Sequence, residues 1–143
     1  MSTESLKGKQ IPIVEGLFTY PPDEPRIIGG RCKSCGTVFF PKGRPVHRPG
    51  CREREVEEIL LSKKGKLTSY SWHHYQPPRF RMEPFAPYGI GLVDLPEGIR
   101  VVGVLTGMKE EEAKIGMEVE MVAEGLYTDE EGNERLTWKF KPV

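Results

Sequence analysis

Three cysteines and one histidine within residues 32–51 constrain this chain more than anything else in it. Written out, the spacing is Cys32-x2-Cys35-x11-His47-x3-Cys51, and it holds every cysteine the chain has. A tetrahedral zinc needs four soft donors brought together from two tight turns, and the Cys32/Cys35 pair has the spacing of a zinc knuckle. Gly36 follows at once, where a turn is served by a residue without a Cβ. A redox dithiol or a knuckle without metal is the other reading. A redox C-x-x-C, however, ordinarily opens a helix after a strand. Here Gly29-Gly30 and Val38-Phe39-Phe40-Pro41 flank the pair and predict a β-hairpin. Four protein donors close a zinc site, so the metal expected here is structural and not catalytic.

A ribbon of this size cannot bury a core of its own, so zinc would supply its folding energy. The full chain of 143 residues has room for one more small domain. Thirteen prolines and sixteen glycines favour short strands and loops over helices. Lysine plus arginine and aspartate plus glutamate each number 21, which argues against nucleic acid and membrane surfaces as partners. The opening MSTESLKGKQ has no apolar segment, and no run reaches transmembrane length. Cysteines grouped at metal spacing without a secretory signal suit a cytoplasmic protein.

The balanced charge conceals a segregation. Residues 26–52 carry seven basic residues and no acid, and 59–82 carry five and no acid, whereas 108–134 carry ten acids against Lys109 and Lys114. Such blocks are commonly solvated faces, but they also suit a phosphate-bearing ligand or an acidic partner surface.

Residues 1–25 read as an N-terminal arm. Residues 11–25 mix Ile11, Ile13, Leu17, Phe18 and Tyr20 with four prolines, too broken for a long helix. The arm either docks on a partner or packs on its own ribbon. The ribbon takes 26–54, with 52–58 (REREVEE) leading onward, and the rest of the chain, 55–143, reads as strands. Residues 66–75, 88–95, 99–105, 117–124 and 136–140 alternate or carry β-formers, and Gly65 predicts a bulge or bend at a barrel corner. A short helical turn falls at 109–114. Five strands with a helical turn between the third and fourth is the order of an OB-fold, a small Greek-key barrel. The expected fold is therefore mainly β: arm, zinc ribbon, then a five-stranded OB-fold barrel.

RCKSCGTVFFP, GRPV, KGKLTSYS, APYGIGLVDLPEGIRVVGVLTG, KIGMEVEM and the closing KFKPV occur in the order of a known family. Over roughly residues 26–143 the chain resembles the proteins in which a rubredoxin-like zinc ribbon precedes an OB-fold, formerly a domain of unknown function. The resemblance implies a small accessory subunit of thiolase-superfamily acyl-CoA enzymes. Such subunits accompany archaeal acetoacetyl-CoA thiolase and HMG-CoA synthase, steroid side-chain aldolases, and the benzoylsuccinyl-CoA thiolase of anaerobic toluene breakdown. They hold the complex together and help shape its acyl-CoA channel. The expected partner is a thiolase-like catalytic subunit, with a CoA ester as ligand of the complex. The family's second pair is C-x-x-C after R-P-x. In this chain His47 stands where the first cysteine would, and the spacing to Cys51 is one residue longer. Neutral imidazole is an adequate zinc ligand, so a three-cysteine, one-histidine set is chemically reasonable.

The loop after residue 72 is the candidate recognition region, because OB-folds use it for ligands. Tyr75, Arg79, Phe80 and Arg81 are the candidate contacts. Guanidinium suits CoA phosphates and an aromatic face suits adenine. Contact with a partner protein, Phe80 filling a pocket on it, is nevertheless the leading reading, CoA contact the second and plain surface the third. His73 and His74 lack a nearby acid or activated nucleophile in sequence, and the Glu110-Glu111-Glu112 run reads as a solvated turn. A single-stranded nucleic-acid binder is the competing function, since ribbons and OB-folds both serve it. A self-sufficient CoA enzyme is a third reading.

Overall fold

The computed structural model describes residues 9–20, 24–75 and 86–143. Among these residues the fold is strands and turns, and the helical element is a 3₁₀ turn at Glu110–Glu112. The strands are β1 (Gln10–Pro12), β2 (Ile28–Cys32), β3 (Val38–Phe39), β4 (Val56–Leu60), β5 (Lys64–His73), β6 (Tyr88–Asp94), β7 (Arg100–Leu105), β8 (Glu118–Thr128) and β9 (Glu134–Pro142). They form two sheets, a three-stranded β3-β2-β4 ribbon and a larger sheet in the order β1-β9-β7-β6-β5-β8. An added β8–β9 pairing closes that larger sheet on itself. The closed circuit β5-β6-β7-β9-β8, with parallel β7–β9, is the OB-fold barrel that the strand order predicts.

Alternation in these strands carries the core. In β6 and β7 the cross-strand pairs Val93↔Val101 and Gly89↔Leu105 face inward. They meet Leu67, Val119, Met121, Leu136 and Phe140, each almost fully buried. Burying a side chain of this size contributes about 1.5–3 kcal/mol. Ala113, behind the 3₁₀ turn, is also buried, and the Glu112 carboxylate accepts the Lys109 N–H at 2.6 Å to start the turn.

Two differences from the sequence reading have plain causes, and the alternative left open for the arm is decided for its described residues. Residues 52–58 lead into β4, which pairs along its whole length with β2 and so belongs to the ribbon's sheet. The bulge on β5 lies between Leu67 and Ser69 and not at Gly65. Gly65 marks the crossing where β5 changes partner from β8 to β6, and a Cβ there would come within 2.4 Å of the Asp94 carbonyl. The described part of the arm packs on its own chain, on barrel and ribbon alike. Strand β1 adds parallel to β9, and Phe18 bridges Ile27.

Strands β7 and β9 pair at Val104↔Lys139 and Leu105↔Phe140, at the end of β7, and stand apart along the residues before them. Trp138 fills the opening, its indole N–H donating to the Val102 carbonyl at 2.7 Å. Phe18 of the arm and Phe40 of the ribbon stand edge-on against the indole at 5.9 and 5.5 Å between ring centres. The core is therefore one cluster that runs from Ile27 and Leu61 through Phe18 into the barrel. The connection between ribbon and barrel is pinned as well. Arg26 donates to the Leu60 and Leu61 carbonyls, and Glu97 accepts both the N–H and the hydroxyl of Ser62, at 2.9 and 2.8 Å.

Candidate metal centre

Cys32 ends β2, and the chain turns back there toward β3. The Gly36 N–H returns to the Cys32 carbonyl at 3.0 Å, with Gly36 at φ +74° in the left-handed region that other residues rarely adopt. The Cys35 N–H points at the Cys32 sulfur, 3.4 Å away. A second turn, closed by the Cys51 N–H on the Arg48 carbonyl at 3.0 Å, brings His47 and Cys51 to the same place. The four donor atoms of Cys32, Cys35, His47 and Cys51 all lie within 4.8 Å of one another.

The spacing of those atoms fits a tetrahedral zinc. Zinc–sulfur bonds of about 2.3 Å and zinc–nitrogen bonds of about 2.05 Å place two sulfurs about 3.8 Å apart and a sulfur and nitrogen about 3.6 Å apart. Cys32 Sγ and Cys51 Sγ are 3.8 Å apart, and Cys51 Sγ and His47 Nδ1 are 3.7 Å apart. That sulfur separation is far beyond the roughly 2.05 Å of a disulfide. A redox dithiol would engage Cys32 and Cys35 and would not call His47 and Cys51 to the same point. No helix begins at the pair either, since β2 turns directly back to β3.

The electrostatics also ask for a cation. The Thr37 hydroxyl, 3.1 Å from Cys35 Sγ, is the main group that brings the Cys35 thiol down to about 5, helped by the Arg48 N–H. Burial opposes ionisation of Cys32, but the N–H groups of Cys35 and Ser34 outweigh it and its thiol also lies below its ordinary value. For Cys51 the Glu53 N–H favours the thiolate, yet burial and the thiols of Cys32 and Cys35 outweigh it and raise the group. His47 is raised because its ring hydrogen-bonds first to Cys35 and then to Cys32. Without a cation the four groups share protons; a dication would let all three sulfurs and the imidazole act as donors together. Thr37 and the Arg48 N–H are not marked by the spacing, because their approach to Cys35 depends on how the two turns fold together.

The basic block 26–52 folds against the acids of 52–58. Arg31 pairs with Glu57, Lys33 with Glu55 and Lys42 with Glu58 across the ribbon sheet. Exposed pairs like these contribute about 0–1 kcal/mol each, but they remove three of the block's charges from any anion site.

Of the candidate contacts in the barrel loop, Arg79, Phe80 and Arg81 lie outside the described residues. Tyr75 is 73 % exposed, with its ring 6.4 Å from that of His73. His73 stacks on its cross-strand partner Tyr88 at 5.2 Å, and His74 faces Glu110 at 3.2 Å. Burial raises the Tyr88 hydroxyl above its ordinary value. None of these groups converges with the four metal-type donors. Among the described residues no helix is long and apolar enough to cross a membrane.

Comparison with known proteins agrees with this geometry. Residues 21–57 match the family described as "ChsH2, rubredoxin-like zinc ribbon domain", and residues 58–124 match "ChsH2, C-terminal OB-fold domain". A "DUF35 domain-containing scaffold protein" of Methanocaldococcus jannaschii is 43 % identical over 119 residues, 82 % of each chain. The "Benzoylsuccinyl-CoA thiolase subunit BbsA" of Thauera aromatica is 32 % identical over 119 residues, 83 % of this chain and 78 % of the relative. A solved structure titled "Ltp2-ChsH2(DUF35) aldolase" superposes with a TM-score of 0.64 at 30 % identity, covering 82 % of this chain and 84 % of the other. The order of modules, the four-donor cluster and these matches together place the chain in the ChsH2-type (DUF35) family of zinc-ribbon–OB-fold proteins.

Proposed function

We propose that this chain is a non-catalytic scaffold subunit of a thiolase-type complex that acts on acyl-CoA substrates. The observation that carries the reading is the likeness, over about four-fifths of the chain, to a scaffold protein and to a thiolase subunit. The ribbon holds a structural zinc through Cys32, Cys35, His47 and Cys51. Bound there, the metal would cross-link the two turns and present no open coordination position, which suits a support and not a reaction centre. Its contribution is folding energy.

The barrel presents the working surface. Tyr75, Arg79, Phe80 and Arg81 form the contact with the catalytic subunit or with the CoA moiety at the mouth of its acyl channel. Guanidinium groups beside aromatic rings suit either role. The pinned ribbon–barrel connection supports a scaffold role, because a subunit that positions another must itself be rigid. The balanced charge weighs against nucleic acid.

The test is affinity purification of the tagged chain from its native extract, with the co-purifying polypeptide sequenced and zinc quantified in the same sample. Recovery of a thiolase-superfamily polypeptide with about one zinc per chain is the expected result. Recovery of nucleic acid in a salt-sensitive manner, or of a chain without metal, would refute the reading.

A further inference from the structure

We propose that the groove beside the first half of β5 binds an amphipathic carboxylate, an apolar chain that ends in a single anionic head. The groove has a volume of about 460 Å³, within the roughly 300–1,000 Å³ of small-ligand sites. It is bounded by β5, by the turn after β6 and by the segment at 115–116, and it shares no residue with the four-donor cluster. Its open apolar lining is Pro96 and Ile115, the latter 63 % exposed, set over the buried core residues Leu67 and Leu95. An isoleucine this open, beside an exposed proline, is covered by water at a cost that an apolar ligand would remove.

The head of the ligand is specified by charge. Lys64 and Lys66 lie two apart on β5, both exposed at the edge of the groove, and neither has an ion-pair partner among the described residues. Glu120, which stands across from Lys64 on β8, faces Lys141, while Lys63 faces Glu24 and Lys139 faces Glu124. Two acids also border the groove. Asp94 is engaged by Arg100 at 2.6 Å, which leaves Glu118 as the acid there without a cation of its own. Two free ammonium groups against one free carboxylate favour a single negative head. The apolar side chains of Pro96 and Ile115 favour an apolar chain over a polar ring behind that head.

The test is calorimetric titration of the zinc-loaded full chain with octanoate, hexanoate and octanol. Octanoate should bind saturably at one site. Hexanoate, two methylenes shorter, should bind about four- to sixteenfold more weakly, at two- to fourfold per methylene. Octanol, with the same chain and no charge, should bind about five- to tenfold more weakly than octanoate. The double variant Lys64→Gln/Lys66→Gln changes two exposed side chains and should bring octanoate down to the level of octanol. Ile115→Asp should weaken both ligands, and Glu118→Gln should tighten octanoate about twofold. The proposal is overturned by non-saturable octanoate binding, by equal affinity for octanoate and octanol, or by a lysine double variant that binds octanoate as the wild type does. None of these readouts requires the catalytic subunit, so failure here is distinct from failure of the scaffold reading.

Discussion

Replacing Phe18 by alanine tests whether the arm is part of the folded core. Phe18 is 3 % exposed and stands edge-on against Trp138 at 5.9 Å and Tyr20 at 6.0 Å. Truncating a buried phenylalanine costs about 3–5 kcal/mol through lost transfer energy and the void it leaves. Each edge-to-face contact adds about 0.5–1.5 kcal/mol beyond burial. The arm around Phe18 is held by a few backbone bonds, from Thr19 N–H to the Arg26 carbonyl and from Ile28 N–H to the Leu17 carbonyl, at 2.8 and 2.9 Å. Such a segment can move into part of the void, so the expected loss is the lower end, about 3 kcal/mol. For a chain of this size that lowers the thermal midpoint by about 6–12 °C. Urea unfolding with zinc in excess reads the loss directly, and Val14→Ala, at a side chain 51 % exposed, serves as the control expected within about 0.5 kcal/mol. A loss below about 1 kcal/mol for Phe18→Ala would refute the placement of the arm in the core.

Chelation, or Cys35→Ser, should remove about one zinc per chain and change the fluorescence of Trp138, because Phe40 of the ribbon packs on its ring; full zinc content in the serine variant would refute the ligand set. Gly65→Ala places a methyl 2.4 Å from the Asp94 carbonyl and 2.7 Å from Val93, so it should cost about 1–3 kcal/mol in urea unfolding, and a neutral substitution would contradict the crossing described for β5. Asp129 accepts from the Asn133 N–H at 2.8 Å, and from Arg135 at 2.9 Å, and these hold its carboxyl below the ordinary 3.8. A folded value below the unfolded one gives stability that is complete above the unfolded value and is lost as pH falls through the folded one. The advantage of wild type over Asp129→Asn should therefore shrink below roughly pH 4, and an advantage that stays constant down to about pH 2 would refute this.

Alternation made the barrel legible because a barrel strand has one face inside. Residues 88–95 and 99–105 read as strands and are β6 and β7 to within a residue. Strand β8 runs on to Thr128, past the expected end at Glu124, because a bulge after Gly125 keeps it paired with β9 where its pattern has lapsed. Strand β4 was missed for the opposite reason. Its sequence Val-Glu-Glu-Ile-Leu has no alternation, since it lies at the edge of the ribbon sheet and only its Ile59 packs on the shared apolar cluster. The convergence of Cys32, Cys35, His47 and Cys51 could be anticipated from their spacing, because two tight turns bring such pairs together. The pairing of the basic block with Glu55, Glu57 and Glu58 could not, because it depends on the β2–β4 register. Nor does any local pattern mark Lys64, Lys66 and Ile115 as the rim of one groove; they meet through the pairing of β5 with β8.

The parting of β7 and β9 decides how the two modules depend on each other. A barrel whose β7–β9 seam was paired along its whole length would be indifferent to a ribbon hung on its end. Here the opening between the strands is stopped by Trp138, whose ring is covered by Phe18 and Phe40, one from the arm and one from the ribbon. Loss of the metal would free the turn that carries Phe40, uncover the indole and leave part of the barrel core facing water. Ile27 and Leu61, at the ribbon end, belong to the same buried cluster as Leu136 and Phe140 at the barrel end. With no boundary in the apolar core, ribbon and barrel should unfold in a single zinc-dependent transition. Two separate transitions, with the barrel's midpoint indifferent to chelator, would show that the shared cluster does not couple them.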